Sequence, residues 1–255
     1  MYRGHRIAVV MPIHNEEDHL ARAIARVPAF VDLIVAVDDG SADRTWEQLS
    51  SIEDERLVRL RHEQNRGVGA ATKTGYRYCL QAEVDLIAVM DGDGQMDGAD
   101  LSRLLDRAIA GADYVKGNRF LHKGSISRMP LARYVGNVIF SWLTRRAARH
   151  AGSLDAQCGY TVIRRAALRR LDLDALYDRY GFLNEMLLAA CRAGLAVACV
   201  PVRSVYGNET SGINPMTAVP VILCLIARGY LRQRFSAKPA VTILQIQESE
   251  SGSVK

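Results

Sequence analysis

Five short apolar runs, RIAVVMP, DLIVAVDDGS, RLVRLRH, DLIAVMDGDG and ADYVKGNRF, each break off into a polar turn, and stretches with helical spacing lie between them. Leu20, Ile24 and Val27 share one helical face, as do Leu101, Leu104, Leu105, Ala108 and Ile109, which stop at Gly111. Strands alternating with helices of this length predict βαβ units and an α/β fold around a mostly parallel, buried sheet. Polar residues gather where each strand ends: His14-Asn15-Glu16, Asp38-Asp39, Asp91 with Asp93, and Asn118-Arg119. In an open α/β sheet ligands bind at that edge, so these turns are expected to converge on one crevice.

The 255 residues suffice for one substantial domain, expected over 1–235, with a tail at 236–255 that is polar from Ser236. Longer helices are expected near 131–150 and 182–193, followed by a late strand, LAVACVPV, and the loop RSVYGNETSGINP. The apolar stretch Met216 to Ala227 has 12 residues. A bilayer span needs roughly 20. A helix near 216–231 is therefore either buried, or interfacial with Arg228, Arg232 and Arg234 set against headgroups.

Charge is unevenly distributed. Residues 1–113 carry 13 Lys/Arg and 20 Asp/Glu, whereas 114–170 carry 12 against one, Asp155. The basic block is either a solvated face or a site for something anionic, a phosphate-bearing ligand or an acidic membrane surface. It contains no nucleic-acid-reading motif, so nucleic acid is not an expected partner. Five scattered cysteines without a CxxC indicate neither a disulfide framework nor a zinc site, and a reducing, cytoplasmic setting is expected. The apolar run before Pro12 is five residues long, too short for a signal segment. No feature of the sequence sets an oligomeric state.

The turn DGDGQMDGADL holds the densest negative charge at a strand end. A calcium EF-hand needs Gly at position six and Glu at twelve. Counting from Asp91 these are Met96 and Ser102, and from Asp93 they are Gly98 and Leu104, so neither register fits. Helix capping accounts for Asp97 or Asp100 but leaves Asp91 and Asp93 unexplained. Two carboxylates two residues apart repel unless a proton or a cation intervenes. Hard oxygen ligands suit Mg²⁺ or Mn²⁺, with Gln95 adding a neutral oxygen, and such ions are commonly shared with substrate phosphates.

VVMPIHNEE, VAVDDGSADRT, NRGVGAATKTGY and VMDGDGQ occur in that order at successive turns. Together they resemble family 2 glycosyltransferases of the GT-A fold, most closely the polyprenyl-phosphate (dolichol-phosphate) mannose synthase branch. There the motifs read roughly PxYNE, VDDGSxDxT and MDxDxQ. The resemblance is strong over about 6–120 and continues more weakly to about 212 through GNRF, LDAQCGYTVIRR and GFLNEMLLAACRAG. It implies a nucleotide-sugar half over 1–118 and an acceptor half over 119–235.

By that resemblance Pro12, His14 and Glu16 meet the donor's base and ribose, with His14 departing from the usual Tyr. Asp39 accepts a hydrogen bond from the base, while Asp38 and Asp43 serve the turn and a helix cap. Lys73 faces either phosphate or solvent. Arg119 follows the fifth strand where the family places a phosphate-binding arginine, a role its bidentate fork suits. Arg128 and Arg133, within the basic block, are candidates for an acceptor phosphate. Asp155, in LDAQCGY with Cys158 where the family has Ser or Thr, is an ion-pair partner or part of the acceptor site. Glu185 occupies the family's acidic position on the next helix, and Arg203, Tyr206 and NETSG resemble the segment closing over the donor.

The implied reaction moves a sugar from a GDP- or UDP-sugar to an acceptor with inversion. Asp91, Asp93 and Gln95 hold the cation, and Asp93, Asp155 and Glu185 are the catalytic candidates. A hydroxyl acceptor needs a general base and a phosphate acceptor does not. Together with the basic block, this favours a polyprenyl phosphate at the cytoplasmic membrane face, with peripheral membrane contact. The alternatives are a soluble hydroxyl acceptor or a non-catalytic sugar-nucleotide-binding module. A sugar-nucleotide pyrophosphorylase would open with a basic Gly-rich loop after the first strand, which MPIHNEE lacks.

Overall fold

A computed structural model describes residues 1–122, 131–149, 155–203 and 215–234. Arg128, Tyr206, the NETSG loop and the tail from 236 lie outside the described residues, as does the side chain of Arg133.

Seven strands form one sheet in the order β3-β2-β1-β4-β6-β5-β7. They are β1 (Ile7–Ile13), β2 (Leu33–Asp38), β3 (Leu57–Arg61), β4 (Leu86–Val89), β5 (Tyr114–Asn118), β6 (Thr161–Arg164) and β7 (Val197–Pro201). Every pairing is parallel except those of β6, which runs antiparallel between β4 and β5. β6 is not foreseen from sequence, because TVIR is too short to carry a period of its own.

All seven residues of β1 are buried, which requires cover on both faces of the sheet. Side chains alternate accordingly. Ile7, Val9, Met11 and Ile13 pack with α1 (Leu20–Ala25), α2 (Thr45–Ser51) and α4 (Leu101–Ile109). Ala8 and Val10 face the other layer, made by α3 (Val68–Gln81), α5 (Leu131–Ala148), α6 (Arg165–Leu168), α7 (Phe182–Arg192) and α8 (Pro215–Arg234).

The register levels the turns. Ile13 pairs with Asp38, Asp39 N–H donates to Ile13 O at 2.8 Å, and Met90 N–H donates to Val10 O at 3.0 Å. Because β6 is antiparallel, its start enters from the same edge, where Thr161 pairs with both Val89 and Lys116. The segment 155–160 is thereby brought beside the acidic turn.

Candidate active site

The acidic turn leaves β4 at Met90 and is closed by its own side chains. Asp93 Oδ1 accepts from Gln95 N–H at 2.8 Å, and Asp97 Oδ1 from Ala99 N–H at 2.9 Å, so capping accounts for Asp97 as expected. Burial, then the charges of Asp93 and Glu16, push the Asp91 carboxyl up to about 7, against the opposing pull of Arg119 and Lys116. Asp93 and Glu16 therefore both act on the buried Asp91 at the sheet edge, a local excess of like charge around one carboxylate. That excess fits a divalent cation held by Asp91 and Asp93. Among the described residues no three His, Cys, Asp or Glu side chains form a complete ligand set, so substrate oxygens and water would fill the remaining positions.

Gly159 explains how Asp91 is seated. A Cβ at Gly159 would stand 2.8 Å from Asp91 Oδ2 and 3.1 Å from Met96 Cε, so the backbone after Cys158 forms the wall behind the carboxylate. Gly159→Ala is expected to displace Asp91 and to cost about 1–3 kcal/mol by overpacking. Thermal unfolding and Mn²⁺ titration check it, and an unchanged Mn²⁺ affinity would count against this seating.

The turns after β1 and β2 are stapled together. Asn15, at φ 55°, donates its N–H to Ser41 Oγ at 2.9 Å and accepts from Ala42 N–H at 2.9 Å. Glu16 N–H donates to Thr45 Oγ1 at 2.8 Å. His14 is exposed at this edge, its Nε2 2.8 Å from the Asn65 amide nitrogen, and Pro12 is buried beneath it. Asp38 is buried and bonds Ser41, with Arg61 Nε 3.1 Å from its other oxygen, so it serves the turn as expected.

Asp39 is also buried. Its Oδ1 lies 2.6 Å from His62 Nδ1 and accepts from Arg66 N–H at 3.0 Å, while Oδ2 accepts from Gly67 N–H at 2.6 Å. The Asp39 carboxylate thereby shapes the 62–67 turn. His62 Nε2 continues the chain to Thr74 Oγ1 at 2.9 Å.

Asp155 is fully buried and gripped bidentately by Arg119, with Nε to Oδ2 at 2.6 Å and Nη2 to Oδ1 at 2.9 Å. Beside it Lys116 is fully buried, donates to Cys158 O at 2.6 Å, and is pushed down by burial. Of the two readings of Asp155, the ion-pair partner is the one observed.

Three other residues named from the sequence have partners within the protein. Lys73 is buried, its ammonium donating to Leu176 O at 2.8 Å and pairing with Asp178 at 2.6 Å, so it does not face solvent. Glu185 is buried, accepts from Tyr177 N–H at 2.7 Å and pairs with Arg228 of α8 at 3.2 Å. Arg203 donates its N–H to Asp100 Oδ2 at 2.7 Å and pairs with Asp97 at 3.2 Å, anchoring the chain to the start of α4.

Sequence reasoning missed the segment 177–181, YDRYG. Arg179 Nη2 donates to Asn65 O at 3.2 Å, and Ala70 N–H to Asp178 O at 2.9 Å. Burial and then the charge of Asp91 raise the phenol of Tyr180, which places that exposed ring in the field of the acidic turn. A Cβ at Gly69 would come within 2.5 Å of Tyr177 O, and one at Gly75 within 2.3 Å of Val10 Cγ1. The small residues of NRGVGAATKTG thus admit the protein's own segments. The signal for this segment was a pair of tyrosines flanking Asp178-Arg179 before a helix, which is not distinctive without the contacts.

A family model described as glycosyl transferase family 2 matches residues 8–172. The UDP-N-acetylglucosamine–dolichyl-phosphate N-acetylglucosaminyltransferase of Methanococcus voltae is 28% identical over 86% of this chain and 94% of its own. Polyprenol monophosphomannose synthase of Mycolicibacterium smegmatis is 30% identical over 83% of this chain and 81% of its own. Undecaprenyl-phosphate mannosyltransferase of Micrococcus luteus is 32% identical over 77% and 82%. Among solved structures, glucosyl-3-phosphoglycerate synthase of Mycobacterium tuberculosis with Mn²⁺, UDP-glucose and phosphoglyceric acid superposes with a TM-score of 0.67 at 18% identity, over 89% of this chain and 80% of that one. That likeness is one of fold.

Proposed function

The chain belongs to glycosyl transferase family 2, and from that premise we propose that it transfers a sugar from a nucleoside-diphosphate sugar to a polyprenyl phosphate, with inversion at the anomeric carbon. The observation that carries the reading is the concentration of Asp91, Asp93 and Glu16 at the sheet's ligand-binding edge, next to Arg119. Asp91 and Asp93, with the Gln95 oxygen, would hold Mg²⁺ or Mn²⁺. A bound cation there supplies charge neutralisation for the departing diphosphate.

The chain's own residues supply the rest of the site. The stapled turns at Asn15–Ser41 and Asp39–Gly67 shape the donor side, and Pro12, His14 and Glu16 line it. The bond formed joins an acceptor phosphate oxygen to the anomeric carbon, and the bond broken is that carbon's link to the diphosphate, which leaves with the electron pair. A hydroxyl acceptor would need a base, and the two candidates, Asp155 and Glu185, are both buried in ion pairs. A phosphate acceptor is already anionic and needs none. The basic block at 114–170, which includes Arg128 and Arg133, suits such an acceptor.

The relatives named for dolichyl, polyprenol and undecaprenyl phosphates support the same acceptor class. With a lipid acceptor the protein works at the cytoplasmic membrane face. No helix of the described residues is long and apolar enough to cross a membrane.

A panel of GDP- and UDP-sugars, with and without Mn²⁺, tests the donor. One of them with Mn²⁺ is expected to raise the unfolding temperature, by the equivalent of about 2.7 kcal/mol at a hundredfold excess over Kd. The selected donor is then offered polyprenyl phosphate. Transfer to soluble hydroxyl acceptors alone, or donor binding without turnover, would overturn the proposal.

A further inference from the structure

The sequence left the helix near 216–231 as either buried or interfacial. In the structure α8 has one face buried and another exposed. Ile222, Leu225 and Ile226 are buried in the core, while Val219, Leu223, Tyr230 and Leu231 stand outward at i, i+4 and i+11/12. On α5, Leu131, Val135, Val138, Ile139 and Trp142 form a second outward stripe at i, i+4, i+7/8 and i+11. Leu131 is 76% exposed, Trp142 52% and Leu231 55%. These two helices hold nine of the thirteen large hydrophobic side chains that stand exposed among the described residues. A helix on a protein surface normally turns its polar face to water, and contiguous apolar patches mark contact sites.

α5 and α8 pack against each other, and both rest on α7, so their outward stripes adjoin. Neither helix contains an aspartate or glutamate, and the charged residues of both are all arginine: Arg133, Arg145 and Arg146 on α5, and Arg228, Arg232 and Arg234 on α8. The cationic character is felt locally. Burial, then Arg232, with a further push from Arg228, lower the Arg192 guanidinium beneath α8. Two copies meeting through this face would bring arginines against arginines with no carboxylate on either helix to pair them. A surface of lipid tails under anionic headgroups matches both features, apolar contact and positive rim.

The face also leads to the crevice. Tyr134 of α5 meets Phe120 edge to face, with ring centroids 5.8 Å apart, and Phe120 directly follows Arg119. A phosphate presented from a lipid surface under α5 would arrive next to the cationic edge of the site.

We propose that the outward faces of α5 and α8 form one docking platform for an anionic lipid surface, on which the protein lies without crossing it. The platform rests on the proposed lipid-borne acceptor for its purpose, but its test uses neither donor nor acceptor. The chain has two tryptophans, and Trp46 lies under Arg61, 5.1 Å from the guanidinium, so Trp46→Phe leaves Trp142 as the reporter.

The full chain carrying this change is mixed with vesicles of phosphatidylcholine containing one third phosphatidylglycerol, and with pure phosphatidylcholine. Trp142 emission is expected to shift to the blue with the anionic vesicles, with binding at least about tenfold tighter than to the neutral ones and weakened by salt. Val138→Glu combined with Leu223→Glu is expected to abolish vesicle binding while leaving stabilisation by nucleotide and Mn²⁺ unchanged. Should that variant fail to fold, quenching of Trp142 by acyl-chain-brominated lipid in the folded Trp46→Phe protein reports the same insertion.

No shift with anionic vesicles, equal binding to both vesicle types, or a concentration-dependent dimer that buries Trp142 without lipid would each overturn the platform. Vesicle binding without any nucleotide-dependent stabilisation would support the platform while overturning the transferase reading. The converse result would overturn the platform alone.

Discussion

Asp93→Asn is expected to lower the rate of sugar transfer by about a thousandfold, equivalent to roughly 4 kcal/mol of lost barrier reduction. The substitution keeps the shape of the turn, because an Asn oxygen can still accept the Gln95 N–H that Asp93 Oδ1 accepts at 2.8 Å. What it removes is charge. Asp93 is the largest electrostatic cause, after burial, of the raised proton affinity of Asp91, so Asp91 in the variant returns toward the ordinary carboxylate range. Without metal the protein should unfold at the same temperature as the parent or slightly higher, since a repulsion has been relieved. With Mn²⁺ and nucleoside diphosphate the parent should gain stability that the variant does not. Activity within tenfold of the parent, or undiminished stabilisation by Mn²⁺, would sink the assignment of a cation to this turn.

The second large effect is on stability. Asp155→Ala removes the only carboxylate in the basic block and leaves Arg119 without its bidentate partner next to the buried Lys116. Breaking one side of a buried ion pair costs about 3–5 kcal/mol, because the surviving charge stays desolvated. For a chain of this size the unfolding temperature should fall by about 10 °C. Arg119→Met with Asp155→Leu removes both charges and should recover much of that loss. A single variant within about 2 °C of the parent would show that the pair contributes little. The double change separates burial of a lone charge from loss of packing, since only the first is cured by removing Arg119.

The polar strand ends were legible because each is a local event, a buried apolar run that breaks off into polar residues. Four of them, at 14–16, 38–39, 91–93 and 118–119, come to one edge of the sheet as the βαβ pattern requires. β6 was not legible, since four residues cannot display a period and its antiparallel course depends on what lies on either side. The segment 177–181 was equally hidden. Its contacts with Asn65 and Ala70 join positions more than a hundred residues apart. Arg128 lies outside the described residues, and of Arg133 the structure describes only the backbone, within α5.

The amino-acid order by itself determined the α/β architecture and the crowding of carboxylates at 91 and 93, because periodicity and neighbouring charge act over a few residues. Only the tertiary structure decided which charged groups are already spoken for. Lys73, Asp155, Glu185 and Arg203 read alike as site residues along the chain, yet each is paired with a group distant in sequence or held by another element. A buried charge must find a partner wherever the fold supplies one, and that choice is made by packing in space, not by spacing along the chain.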